Sequence, residues 1–92
     1  MIKFEWDEHK NTLNRAKHGV WFEEAQSSFD DLHGRLFLDP DSEEERFVLV
    51  AVSSGTHLLI VVHCYRGSKS MIRIISARKA TKRERVFYEK GI

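Results

Sequence analysis

The stretch Arg46–Arg78, RFVLVAVSSGTHLLIVVHCYRGSKSMIRIISAR, decides the fold. It holds three runs rich in Val, Ile and Leu: Arg46–Ser53, His57–Arg66 and Met71–Arg78. Between them lie Ser54–Gly55–Thr56 and Gly67–Ser70, both composed of turn formers. Runs of this kind, punctuated by Gly and Ser, read as strands. His57–Arg66 is nearly continuous in Leu, Ile and Val, the pattern of a strand buried on both faces, so it belongs at the centre of the sheet.

Upstream, Arg35–Asp39 reads as a fourth strand, closed by Pro40 and the acidic turn Asp41–Glu45. Phe22, Ala25, Phe29 and Leu32 recur at helical spacing, which predicts a helix over Val20–Asp31 with Glu23 and Glu24 near its start. Before it, Asp7 can cap a helix that ends at Gly19, with Leu13 and Ala16 as its main apolar contributions. Ile2–Trp6 alternates as a short strand. Downstream, Thr81 caps Lys82–Lys90, and Glu84 is placed as the capping-box partner. In that helix Val86 and Phe87 are expected to pack inward, and Tyr88 to join the core. The predicted order is β-α-α-β-β-β-β-α. Consecutive strands with short turns imply an antiparallel meander with helices on one face, an α+β fold in a single domain over residues 1–92.

Charge is segregated along the chain. Residues 1–65 hold 6 Lys/Arg against 12 Asp/Glu, and residues 66–92 hold 9 against 2, so a net charge of +1 is the sum of −6 and +7. Such asymmetry points to a polyanion or to a partner protein that contacts one half. The longest unbroken apolar run, Leu58–Val62, is far short of a membrane span, and the N-terminus shows no basic-then-apolar secretion pattern. Cys64 is the only cysteine, expected as core filler in a reducing, cytoplasmic setting. A P-loop, GxGxxG, HExxH and CxxC are all missing from the sequence, and His9, His18, His33, His57 and His63 lack metal-ligand spacing. No metal and no cofactor are expected.

The chemistry-bearing residues gather in the basic half. Treating Gly67–Ser70 as a hairpin loop sets Arg66 opposite Met71, Cys64 opposite Arg73 and Leu59 opposite Arg78. Alternation then puts Arg66 and Arg73 on one sheet face, with His63, Tyr65 and Arg78 on the other, unless a bulge changes the parity. Metal-free RNA cleavage needs a base for the 2′-OH, an acid for the leaving oxygen and cations around the phosphorane. Arginine forks suit phosphate oxygens, and His, Tyr or Lys can move protons. The same residues also suit a solvated basic sheet edge that discourages strand addition. Arg73 could equally pair with Glu84 or Glu89. Lys82, Arg83, Arg85 and Lys90 make the last helix basic, and Lys17–His18 at a helix C-terminus has a plain dipole reading.

The chain resembles the BrnT toxins of bacterial type II toxin–antitoxin systems. The resemblance rests on FEWD (Phe4–Asp7), Lys10, Asn14, KHGV (Lys17–Val20), FEEA (Phe22–Ala25), Phe29 and Asp30, and resumes through Arg46, Leu59–Val62, Arg66, RIISARKA (Arg73–Ala80), Arg83–Arg85 and Tyr88. It implies a RelE-like fold with a small curved antiparallel sheet. It implies endoribonuclease activity that arrests translation, and a DNA-binding antitoxin of the BrnA type through which alone the protein would meet DNA. Carried onto this chain, it nominates Lys17, His63, Arg66 and Arg78 as catalytic. His18, Arg73, Lys79, Lys82 and Arg83 are nominated as RNA-binding. A non-catalytic RNA- or protein-binding module is the alternative.

Overall fold

A computed structural model describes residues 2–68 and 70–91; Met1, Ile92 and Lys69 of the expected Gly67–Ser70 connection lie outside the described residues. Its elements are β1 (Lys3–Glu5), α1 (Glu8–His18), α2 (Phe22–Ser27), a 3-10 turn (Ser28–Asp30), β2 (Arg35–Leu38), β3 (Phe47–Val52), β4 (Leu58–Arg66), β5 (Met71–Lys79) and α3 (Lys82–Lys90). The five strands form one sheet in the order β1-β5-β4-β3-β2, with β4 at the centre.

Strands β2 to β5 form the antiparallel meander. The sheet is nevertheless mixed, because β1 lies parallel to β5, pairing Lys3 with Met71, Phe4 with Ile72 and Glu5 with Arg73. Pairing the first strand with the last is a non-local event, for which alternation within IKFEW carries no signal.

The helices also divide between two faces. Leu49, Ala51, Leu59, Val61, Ile72, Ile74 and Ala77 form one core cluster with Val20, Phe22 and Ala25 from the α1/α2 side. Val50, Leu58 and Ile60 point the other way and are covered by Tyr88 of α3. Tyr88 is the buried anchor of α3, while Val86 and Phe87 are 48% and 41% exposed. Phe87 instead packs at a tilt against Phe37 and under the Arg35 guanidinium, 3.9 Å from the ring centre. The Tyr88 hydroxyl donates to Asp31 Oδ2 at 2.5 Å, and the same carboxylate accepts from the backbone N–H of Val52 and of His33. Asp31 thus ties α3 to β3.

Helix α1 starts and stops as its sequence dictates. Asp7 accepts from Lys10 N at 3.1 Å, and Gly19 adopts φ +75°, the left-handed stop that glycine takes at least cost. Its buried residues are Asn11 and Asn14, whereas Leu13 is 54% exposed. The asparagines face inward because backbone there lacks strand partners. β1 covers only Met71–Arg73 of β5, and Asn14 takes over beyond it, donating to Ala77 O at 2.8 Å and accepting from Ala77 N at 3.1 Å. Its amide also donates to Val20 O, and Asn11 Oδ1 accepts from Phe22 N. A buried edge satisfied in this way costs no orphaned backbone groups.

The second helix is shorter than its spacing predicts. It tightens into the 3-10 turn at Ser28, and Leu32 beyond it is 96% exposed. The Ser28 hydroxyl bonds back to Ala25 O at 2.6 Å, a local competitor to continued α-helix.

Candidate active site

The sheet register decides which basic residues meet. Arg66 pairs with Met71 and Cys64 with Arg73, as the hairpin reading requires. Between Val62 and His63 the register slips: Val62 pairs with Ser76 and His63 with Ile74, leaving Ile75 as an extra residue in β5. Arg78 consequently pairs with Ile60 rather than Leu59. A bulge reverses the facing of everything beyond it. Arg78 therefore joins Arg66 and Arg73 on the α3 face instead of opposing them.

Each arginine is held by a carboxylate, in two different ways. Arg78 meets Glu84 in a parallel fork, Nη1 to Oε1 at 2.9 Å and Nη2 to Oε2 at 2.8 Å. Glu84 also accepts from Thr81 N at 2.8 Å, so the capping box of α3 doubles as the anchor of Arg78. The Arg78 hydrogen bonds, outweighing burial, hold the Glu84 carboxyl down at about 2, and the same pairing raises the Arg78 guanidinium. Arg66 and Arg73 converge on a single atom: Arg66 Nε lies 3.1 Å and Arg73 Nη1 2.9 Å from Glu5 Oε2. Neither uses its full fork there. With the Arg66 side chain 60% exposed and Arg73 35%, both keep N–H groups toward solvent. Arg73 thus pairs with Glu5, and not with Glu84 or Glu89.

Lys17 and His18 approach the same strand from the other end of α1. With Lys10, Leu13, Asn14, Ile75 and Ser76 they line a shallow cleft of about 300 Å³. Ser76 lies on the arginine face, since it pairs with Val62. Lys17 and His18 thus stand next to the strand segment between Arg73 and Arg78.

The remaining nominated residues sit elsewhere. His63 is fully buried, its ring edge-on to Phe29 at 4.9 Å and to Tyr65 at 5.4 Å. Its Nδ1–H donates to Val61 O at 3.2 Å, its Nε2 has no partner among the described residues, and burial pushes its pKa below the usual imidazole value. The ring is thus packed within the core, away from the exposed arginines. Lys79 pairs with Leu59 on the α1/α2 face, where its charge acts on Glu24. Lys82 and Arg83 are exposed in the first turn of α3, beside the Arg78–Glu84 pair. Cys64, rather than filling the core, is half-buried on the arginine face opposite Arg73.

Two arrangements escape sequence reading. Glu5 reaches Arg66 and Arg73 only through the parallel pairing of β1 with β5. Glu24 accepts from Ser53 Oγ at 2.6 Å and from His57 Nδ1 at 2.7 Å, pinning α2 to the β3–β4 turn. A further cleft, about 460 Å³, lies on the acidic loop between Leu38 and Phe47. Its Asp39, Glu43, Glu44 and Glu45 would repel a phosphate chain.

An α+β fold with one face closed by α1 and α2 and the other bearing exposed arginines defines a small protein with a basic open surface. Comparison with known proteins gives that class a family. The model of the family described as "Ribonuclease toxin, BrnT, of type II toxin-antitoxin system" matches residues 6–84, and the chain belongs to this family. Among solved structures, the Brucella abortus ribonuclease toxin BrnT is similar at 27% identity, with a TM-score of 0.69 over 89% of this chain and 100% of that one. No match is found among curated proteins.

Proposed function

We propose that this protein is an endoribonuclease that cleaves RNA through attack of the 2′-OH on the adjacent phosphate, without a metal, and thereby arrests translation. The observation that carries the reading is the convergence of Arg66 and Arg73 on one oxygen atom at 3.1 and 2.9 Å. Two guanidinium groups that meet on a carboxylate oxygen are spaced to meet on a phosphate oxygen, and their free N–H groups point to solvent. Placed there, they stabilise the extra negative charge of the phosphorane, a role that guanidinium groups fill in place of a metal ion.

Lys17 and His18, which line the cleft beside Ile75 and Ser76 of β5, supply further contacts to the RNA backbone. Arg78 is a strut that fixes α3 over the sheet, because Glu84 consumes its fork. Lys82 and Arg83 take up flanking phosphates and make binding sensitive to salt. The natural restraint on such an activity is an antitoxin, here a DNA-binding protein of the BrnA type. The resemblance to RelE-like ribonucleases and a cytoplasmic site of action belong to the same reading.

The test is cleavage of a single-stranded RNA by the purified protein in excess EDTA. The expected products carry 2′,3′-cyclic phosphate and 5′-hydroxyl ends. Intact RNA, salt-sensitive binding without cleavage, or 5′-phosphate ends that require added metal would each overturn the proposal.

A further inference from the structure

We propose that Glu5 is the general base of this site, an inference that rests on the ribonuclease reading above. Cleavage through the 2′-OH requires a proton acceptor beside the phosphate-binding cations. His63, the acceptor nominated from the sequence, is sealed in the core. Of the two carboxylates that touch the arginines of the open face, Glu84 has both oxygens committed to Arg78 and Thr81. Glu5 is arranged differently. Its Oε2 is anchored by Arg66 and Arg73, its side chain is 31% exposed, and Oε1 has no partner among the described residues. One oxygen is held in place and the other is offered to solvent.

The backbone fixes this geometry. Glu5 pairs directly with Arg73 across the parallel β1–β5 ladder, and Arg73 pairs with Cys64, two residues from Arg66. Carboxylate and guanidinium groups thus stand on three adjacent strands of one rigid sheet. A phosphate bound through the unused N–H groups of Arg66 and Arg73 becomes a neighbour of Oε1. In the step itself Oε1 takes the 2′-OH proton as the O2′–P bond forms. The P–O5′ bond breaks, the leaving 5′ oxygen takes a proton from water, and the products are a 2′,3′-cyclic phosphate and a 5′-hydroxyl. The protonated Glu5 then returns its proton to solvent.

Single-turnover cleavage of a short RNA distinguishes a base from a carboxylate that only aims the arginines. Glu5→Gln keeps an oxygen for the arginines but cannot accept the proton, so it is expected to slow cleavage by about 100-fold or more with RNA affinity within threefold of the parent. Glu5→Ala is expected to be equally slow and to be accelerated by added formate, which can enter the space as a small external base. Melting temperatures of both variants confirm that they are folded. Glu5→Gln that cleaves within threefold of the parent overturns the proposal. So does a loss that follows RNA affinity alone, or a slow Glu5→Ala that formate leaves unchanged. Absence of cleavage by the unsubstituted protein would instead refute the ribonuclease reading itself, a result visible before any variant is made.

Discussion

The two faces of the sheet solve different problems with similar materials. On the α1/α2 face the polar groups look inward: Asn11, Asn14 and His63 are buried, and the asparagines satisfy backbone that no strand reaches. On the α3 face the polar groups look outward: Arg66, Arg73 and Arg78 lie on the surface, and two glutamates hold them still. The first arrangement stabilises the fold. The second keeps cations aimed while leaving them reachable. Lesions on the two faces should therefore separate stability from activity.

The largest effect is expected on the open face. Arg66→Ala combined with Arg73→Ala should lower the RNA cleavage rate by about 100-fold or more, because two donors to the phosphorane are lost. The melting temperature should stay nearly constant, since exposed ion pairs contribute little to stability. Asn14→Ala is the mirror case. It orphans the N–H and C=O of Ala77 in the core and should cost about 2–4 kcal/mol in urea unfolding. Cleavage by the fraction that remains folded should fall far less than in the double arginine variant.

Much of this molecule was legible in its residues, and the exceptions have physical causes. The four meander strands, the Asp7 and Thr81 caps and the Gly19 stop are local signals, and each stands where the sequence puts it. Three features depend on partners distant in sequence. The parallel seat of β1 pairs residues 3–5 with residues 71–73. The bulge at Ile75 adds one residue to β5 and turns Arg78 to the face of Arg66. The inward asparagines of α1 read as solvent-facing on a helical wheel, because their partner is a bare strand edge rather than an apolar surface. The site followed the same rule. Its arginines were apparent from composition and spacing, whereas Glu5 emerged only from the pairing of the first strand with the last.

Smaller effects refine the contrast. Tyr88→Phe removes the bond to Asp31 that docks α3 and should cost about 1 kcal/mol. Acid titration should reveal both faces. His63 has a folded pKa below its unfolded value of 6.5, so stability is full above that value and declines as pH falls below it. Glu84 has a folded pKa of about 2 against 4.5 unfolded, so its contribution is present above pH 4.5 and is lost as pH falls toward 2. Glu84→Gln should flatten the second decline and leave the first. The smallest effect belongs to Leu32→Ser. At 96% exposure, that side chain should change stability by less than about 0.5 kcal/mol, despite its helical spacing.

The division of labour between the faces is tested most directly by following the arginine side chains during RNA binding. A short RNA blocked by 2′-O-methyl groups, titrated into ¹⁵N-labelled protein, allows the Nε–H signals of Arg66 and Arg73 to be followed alongside the backbone. The expected result is saturable movement of both signals and of Glu5, with Asn11 and His63 unchanged. Saturable binding that moves α1 and α2 while leaving Arg66 and Arg73 in place would contradict the assignment of the open face as the site of RNA recognition.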